Sequence, residues 1–230
     1  MGYLNVKITI VDKLLSFMAP HYCCGCDKIG DLLCGNCKNY ITNELKTVCI
    51  ACHRPTASMW LCGDCKMPYQ RAWVVGERDG TLQRLIGDYK FQRVKSAYKV
   101  LGDLLLESLP DFPINTIIVP IPTVSSHIRE RGYDHMLLIA QYFAKKRNLD
   151  CQQLLKRVTN TKQRQSTALQ RQVQAQRAFI ANGLINSNKN YLILDDVVTT
   201  GSTIKYASKV LRKAGAKNVW VAVIARQMLK

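Results

Sequence analysis

The sequence predicts an α/β protein, a mostly parallel sheet preceded by a small cysteine-rich region built around two metal sites. Three observations predict it. Apolar runs of strand length alternate with helix-like runs over residues 71–230. Nine of the ten cysteines fall between residues 21 and 70, and eight of those form C-x-x-C pairs. One apolar run, Tyr191–Leu194, leads directly into two adjacent carboxylates and then a turn rich in hydroxyls.

A chain of 230 residues can form one domain or two. Three regions differ in character: a helical lead over 1–20, the cysteine region over 21–70, and an α/β domain over 71–230. A short amphipathic helix is expected around Val11–Met18. Leu82, Leu85, Ile86, Tyr89, Val94, Tyr98, Leu101 and Leu105 recur at helical spacing. TIIVPIP (116–122) reads as a buried strand ended by prolines. DHMLLIAQYFAKKRN (134–148) reads as a helix with basic residues in its last turn, where they complement the helix dipole. YLIL (191–194) is a short apolar strand. STIKYASKVLRKAGA (202–216) is a helix with Gly215 near its end as a C-cap signal, and NVWVAVIA (218–225) is another strand.

The pairs are Cys23/Cys26, Cys34/Cys37, Cys49/Cys52 and Cys62/Cys65. A C-x-x-C turn aims two thiolates at one point, and two such turns complete a tetrahedral Zn2+ shell. The gaps between pairs suit two small zinc knuckles. Sequential pairing gives two four-cysteine sites and is the simplest arrangement, with interleaved pairing left open. Closed all-thiolate sites are structural, and the metal supplies folding energy that so short a segment lacks. A redox dithiol would sit beside a βαβ unit, and none is near. Cys24 is a bystander and Cys151 a core residue. His21 and His53 lie near the ligands, but sulfur fills all eight positions.

Lys and Arg total 33 against 16 Asp and Glu, a formal net charge of +17. Eight thiolates contribute −8 and two Zn2+ contribute +4, which brings +17 to +13. The excess favours a polyanionic partner: nucleic acid, phosphorylated metabolites, or anionic lipid met through peripheral association. Lys7, Asp12 and Lys13 interrupt the apolar residues of the N-terminus, so it is not expected to be a signal peptide. No segment approaches the ~18 uninterrupted apolar residues that span a bilayer. The expected location is the cytoplasm, where thiols stay reduced and serve as ligands or core residues.

Asp195 and Asp196 fall at the carboxyl end of the expected strand, where open α/β sheets bind ligands. The next helix is expected to begin near Ser202 or Thr203. Its free N–H groups, with those of the preceding turn, suit a phosphate. Gly201 lets the backbone approach a ligand closely. Thr199, Thr200, Ser202 and Thr203 add hydroxyls. Adjacent carboxylates accept hydrogen bonds from adjacent hydroxyls, and a ribose offers such a pair. The stretch therefore reads as a ribose 5-phosphate receptor. It contains neither G-K-[ST] nor G-x-G-x-x-G, so it is not a Walker A loop or a dinucleotide fingerprint.

LILDDVVTTGST resembles the diphosphoribose signature of type I phosphoribosyltransferases. The whole chain resembles ComF-type competence proteins, which fuse a double zinc ribbon to a type I phosphoribosyltransferase-like domain. The resemblance runs through LLSFMAPHYCCGC, DYKF (88–91), VPIP (119–122), RERGYDH (129–135) and the diphosphoribose loop. It implies that Asp195, Asp196, Val197, Val198, Thr199, Thr200, Gly201, Ser202 and Thr203 bind 5-phosphoribosyl 1-diphosphate with Mg2+. It also implies a pyrophosphate loop after VPIP, with Arg129 and Arg131 available to a diphosphate, as suits bidentate arginine. Lys90 is a weaker candidate. The basic stretch 156–179 would be a mobile loop that closes over phosphates. Two departures stand out. Family members commonly carry N-x-x-x-A-F and R-G-[FY]-N-Q, where this chain has QAQRAF and RGYDH. Asp134 and His135 thus replace an amide pair, and any contact that needs those amides is in doubt.

The resemblance implies a cytoplasmic protein that assists uptake of single-stranded DNA during natural transformation, alongside a DNA helicase. Tyr40, Trp60, Tyr69 and Trp73 near the ribbon could stack bases, although most are expected to pack against it. The alternative is an active phosphoribosyltransferase acting on a nucleobase or amine. Leaving-group stabilisation would then do most of the work, because no general base is evident. Position 2 is Gly, so glutamine-dependent chemistry is not expected. A ligand-sensing repressor would carry a helix-turn-helix, and no such motif is present.

Overall fold

The computed structural model describes residues 21–43, 48–56, 61–92, 94–158 and 179–227. The helix expected at Val11–Met18, Trp60 and most of the basic stretch 156–179 lie outside the described residues.

Five parallel strands form the central sheet. They are β3 (Arg71–Glu77), β4 (Thr116–Pro120), β5 (Asp150–Cys151), β8 (Asn190–Val198) and β9 (Asn218–Arg226). Their order across the sheet is β3-β9-β8-β4-β5. β4, β8 and β9 are buried along nearly their whole length. Their Val, Ile, Leu and Ala runs are what a strand covered on both faces requires. β8 pairs with β4 from Thr116↔Asn190 to Pro120↔Leu194, and with β9 through Asp195↔Val223 to Val198↔Arg226.

Helices α2 (Gly80–Phe91) and α3 (Ala97–Ser108) follow β3. α4 (Ser125–Arg131) and α5 (His135–Arg147) follow β4, and α6 (Ser202–Lys213) follows β8. α5 starts where Asp134 accepts from the N–H groups of Met136 and Leu137, both at 3.1 Å. It stops at Asn148, which adopts the left-handed region at φ 52°. The chain crosses from β4 to β5 in one direction along the sheet and from β8 to β9 in the other. Right-handed crossovers therefore place α5 and α6 on opposite faces. The ends of β4 and β8 then diverge, and a crevice opens between them.

Two short hairpins complete the fold. β1 (His21–Tyr22) pairs with β2 (Ile29–Gly30) in the cysteine region, just before α1 (Gly35–Asn43). β6 (Leu155–Arg157) pairs with β7 (Phe179–Ala181), so the two ends of the basic stretch are held together.

Three expectations change. The strand expected at 191–194 runs to Val198, which places Asp195 and Asp196 inside β8 rather than past its end. Pairing with β9 continues beyond the acids, and that ladder carries the strand on. The helical series from Leu82 to Leu105 is two helices. The N–H groups of Gln92 and Val94 both turn back to the Asp88 carbonyl and close α2. β3 has no counterpart among the strands read from the sequence, although its AWVV run is buried.

Gly102 lets α3 and α5 approach closely. A Cβ built there meets the Tyr142 ring. That ring is held by a 2.7 Å bond from its hydroxyl to Asp103 and by edge contact with Tyr98 at 5.7 Å. Gly102→Ala should lower stability by about 1–2 kcal/mol in urea denaturation, overpacking outweighing the gain in helix propensity. An unchanged midpoint would show that Tyr142 swings aside freely.

Candidate functional site

The eight C-x-x-C thiols form two clusters, Cys23/Cys26/Cys34/Cys37 and Cys49/Cys52/Cys62/Cys65, each with all its sulfurs within 4.8 Å of one another. The pairing is sequential. Cys26 and Cys34 lie 3.7 Å apart and Cys52 and Cys62 lie 3.6 Å apart. A tetrahedral ion with Zn–S bonds of ~2.3 Å separates its sulfurs by ~3.8 Å, so both donor sets fit Zn2+. The N–H groups of Gly25 and Cys34 point at Cys23 Sγ from 3.5 and 3.4 Å. Burial pushes the Cys23 thiol up, but N–H groups from Cys34, Gly25 and Cys26 overcome this and draw it down to about 6. The thiolate needed by a metal is thus favoured by the backbone itself.

The first cluster is packed into the α/β domain. A Cβ at Gly25 would lie 2.6 Å from Cys37 Sγ and 2.8 Å from Thr81 Oγ1 on α2, so only glycine fits. Cys24 is buried and its thiol faces Asp88 Oδ2 at 3.4 Å. Lys38 reaches Glu107 at 2.7 Å and Arg84 reaches Asp27 at 2.7 Å. Near the second cluster, the Val48 carbonyl accepts from Arg226 at 3.5 Å. Arg226 is itself buried and paired with Glu77 at 3.2 Å.

The crevice at the ends of β4 and β8 has a volume of about 300 Å3. Asp195 and Asp196 form its floor and Thr203 at the start of α6 one side. Lys90, Arg131 and Arg157 bring positive charge to it from α2, α4 and β6. Asp196 Oδ2 receives Lys90 Nζ at 2.6 Å and His135 Nε2 at 2.6 Å. Arg131 Nη1 lies 3.1 Å from His135 Nδ1. A guanidinium only donates, so Nδ1 accepts and the ring's proton sits on Nε2, facing the carboxylate. Thr123 Oγ1 donates to Asp134 Oδ1 at 2.7 Å and lies 3.0 Å from His135 Nδ1. The same Asp134 therefore caps α5 and fixes the Thr123 hydroxyl.

Both acids are almost fully buried. Burial pushes Asp195 up and the charge of Asp196 adds to this. The Asp196 N–H, at 2.9 Å, and the charges of Lys90 and Arg157 only partly oppose them, leaving Asp195 at about 8. Burial also pushes Asp196 up, but the His135 hydrogen bond and the Lys90 charge hold it down to about 2. Near neutral pH the pair carries roughly one negative charge, matched by Lys90.

The structure gathers only part of the set read from the sequence. Asp195, Asp196, Thr203, Lys90 and Arg131 line the crevice. Arg129 is exposed and does not line it. Val198 is buried, and its carbonyl accepts from Gln227 N–H at 2.8 Å. Val197 is half-buried, while Thr199, Thr200 and Ser202 are exposed beyond the lining, with Thr200 Oγ1 3.0 Å from Ser202 Oγ. Gly201 takes φ 69° to turn the chain into α6, a conformation that favours glycine. Tyr69 and Trp73 are buried and Tyr40 is exposed.

A family model described as a phosphoribosyl transferase domain matches residues 138–230. DNA utilization protein YhgH of Escherichia coli K12 is 30% identical over 210 residues, covering 85% of this chain and 91% of that protein. Competence protein F of Haemophilus influenzae is 26% identical over 222 residues, covering 84% of this chain and 96% of that protein. Competence protein ComFC of Bacillus subtilis is 24% identical over 204 residues, covering 82% of this chain and 81% of that protein. The chain belongs to the ComF family.

In this ComF-family chain, the departure at Asp134 and His135 has a physical outcome. His135 links Arg131 of α4 to Asp196 through its two ring nitrogens, while Asp134 caps α5 and accepts from Thr123, so these contacts use no side-chain amide. Thr123, Arg157 and Phe91 are further lining residues that the sequence reading did not single out. The position of Thr123 just after VPIP was the available signal for it. Phe91 lay within DYKF and Arg157 within the basic stretch 156–179, but neither was distinguishable from its neighbours there, because only the sheet's closure brings their elements to the crevice.

Two outcomes follow from this geometry. Purified protein should contain two zinc ions per chain, and Gly25→Ala should lose one of them, read by atomic absorption. Retention of both would show that α2 yields to the added methyl. The second concerns Asp195, whose raised pKa means the folded state binds a proton the unfolded state has lost between pH 4 and 8. Its contribution to stability is therefore full below about pH 4 and declines as pH rises through about 8. Asp195→Asn should raise the melting temperature by several degrees at pH 9 and by much less at pH 5.

Proposed function

We propose that this protein acts in DNA uptake during natural transformation, binding 5-phosphoribosyl 1-diphosphate in the crevice and single-stranded DNA on its basic surface. The observation that carries the reading is the buried acid pair at the divergence of β4 and β8, ringed by Lys90, Arg131 and Arg157. Two neighbouring carboxylates suit the two adjacent hydroxyls of a ribose, and the cations suit its phosphates. The names of the relatives, competence protein and DNA utilization protein, support the cellular role.

Each residue has a place in that reading. Asp195, being the more readily protonated acid, can donate as well as accept at a ribose hydroxyl. Asp196 accepts, and its charge is held by His135 and Lys90 until the sugar arrives. A ligand that engages Asp196 frees Lys90 toward the diphosphate. Arg131 is braced by His135 and meets the diphosphate from the side of α4. Mg2+ carried on the diphosphate oxygens would neutralise part of the diphosphate charge. Zn2+ in the two cysteine clusters would hold the ribbon folded and take no part in the site. The strand would lie along the excess of Lys and Arg, in the cytoplasm, where a DNA helicase of the uptake machinery is the expected partner. Among the described residues, no helix is long and apolar enough to cross a membrane.

Replacing both acids, Asp195→Ala with Asp196→Ala, should abolish sugar-diphosphate binding in calorimetry, at least a hundredfold, while circular dichroism stays unchanged. Unaltered affinity would remove the ribose assignment. Single-stranded DNA should shift the protein in a gel at low salt and lose affinity steeply as salt rises. Acceptor-dependent release of pyrophosphate in the presence of Mg2+ would show instead that the crevice catalyses transfer.

A further inference from the structure

Phe91 has two-thirds of its surface in solvent, 67%. It ends α2, whose Leu82, Leu85, Ile86 and Tyr89 are all buried. Residue 91 lies about 200° round the helix from Tyr89, on the side turned away from the core. The core therefore makes no use of this ring, yet the ring lines the crevice. The helix turn that carries it is anchored. Its neighbour Tyr89 donates to the His135 carbonyl at 2.9 Å, and Tyr133 donates to the Tyr89 carbonyl at 2.5 Å. The Arg131 guanidinium stands over the Phe91 ring, 5.6 Å from its centroid. A ring with a cation on one face and most of its surface in water has its other face open.

Ile121, Pro122, Val124 and Met136 add an apolar wall to the same crevice. A sugar diphosphate has no apolar surface to set against this wall or against Phe91. Its hydroxyls and phosphates are served by the acids and the cations. A flat, weakly polar ring joined to a phosphate would use all three parts at once: the aromatic face, the apolar wall and the positive charge of Lys90, Arg131 and Arg157. Stacking of a base on such a side chain stabilises binding and tolerates any base, because every base has a π face.

We propose that Phe91 is a stacking platform for an unpaired nucleobase at the mouth of the acid-floored crevice, braced from behind by Arg131. This rests on the phosphate-binding reading of the crevice and deepens it, by placing a base contact there rather than on the ribbon. Of the ribbon-side aromatics in the described residues, Tyr69 and Trp73 are buried and cannot stack a ligand, and Tyr40 is exposed but does not line the crevice. The base belongs to a single strand or to a free nucleotide.

Both sources can be tested with full-length protein. In the first arm, fluorescence anisotropy compares a labelled oligothymidylate of about 12 nucleotides with an abasic strand of equal length. The parent should bind the base-bearing strand about tenfold more tightly than the abasic one. Phe91→Ala should bind both strands as the parent binds the abasic one, and Phe91→Trp should keep the preference. In the second arm, calorimetry compares AMP with ribose 5-phosphate, with the same advantage for the base and the same loss in Phe91→Ala. If the parent binds no strand, the single-strand reading falls and the nucleotide arm decides the platform. The proposal is overturned if Phe91→Ala keeps the base preference, or if the parent shows none in either arm.

Discussion

Asp195 and Asp196 lie side by side in β8, where only 8% and 6% of their surfaces reach solvent. Water that would solvate two charges on a surface is excluded there. The protein has to supply the stabilisation, and it does so from three separate elements. Lys90 comes from α2 and His135 from α5, while Asp195 accepts a hydrogen bond from the backbone of its neighbour. Leaving a buried carboxylate without such partners costs several kcal/mol. The arrangement of α2, α4 and α5 around the sheet's carboxyl end can be understood as the consequence of that requirement.

The unequal treatment of the two acids carries chemical meaning. One is held charged and the other is held near neutrality by burial and by its neighbour's charge. A pair of this kind resists bringing two negative charges into one crevice and still presents several oxygens at its floor. It also makes stability depend on pH, because the buried Asp195 strains the folded state once it ionises. Such strain at a functional site is common where the surrounding fold determines the conformation.

The cysteine region contributes in a different manner. Its Ile41, Ile50, Leu33 and Cys24 join the same hydrophobic core as the sheet. Contacts through Thr81 and Asp88 fix it against α2, the helix that supplies both Lys90 and Phe91. The ribbon thus steadies the helix on which one side of the crevice depends.

The sequence by itself determined the parallel α/β architecture, the start of α6 and the cysteine donor set, because these follow from local periodicity and from spacing along the chain. Asp195 and Asp196 were legible for the same reason, standing out at the end of an apolar run. Tertiary structure decided the sequential grouping of the thiols, the extension of β8 past the acids, and the split of one helical series into α2 and α3. Each depends on a partner far away in sequence or on a turn that periodicity does not show: a second C-x-x-C turn, the β9 ladder, the Asp88 carbonyl. It also decided which cations meet the acids. Arg129 and Arg131 look alike in the sequence, but the short turn of α4 exposes one and sets the other against His135. Arg157 and Phe91 are ordinary residues of a strand and a helix until the crossovers of the sheet bring their elements to one crevice. Local pattern specifies the elements, and only the closure of the sheet specifies what faces the crevice.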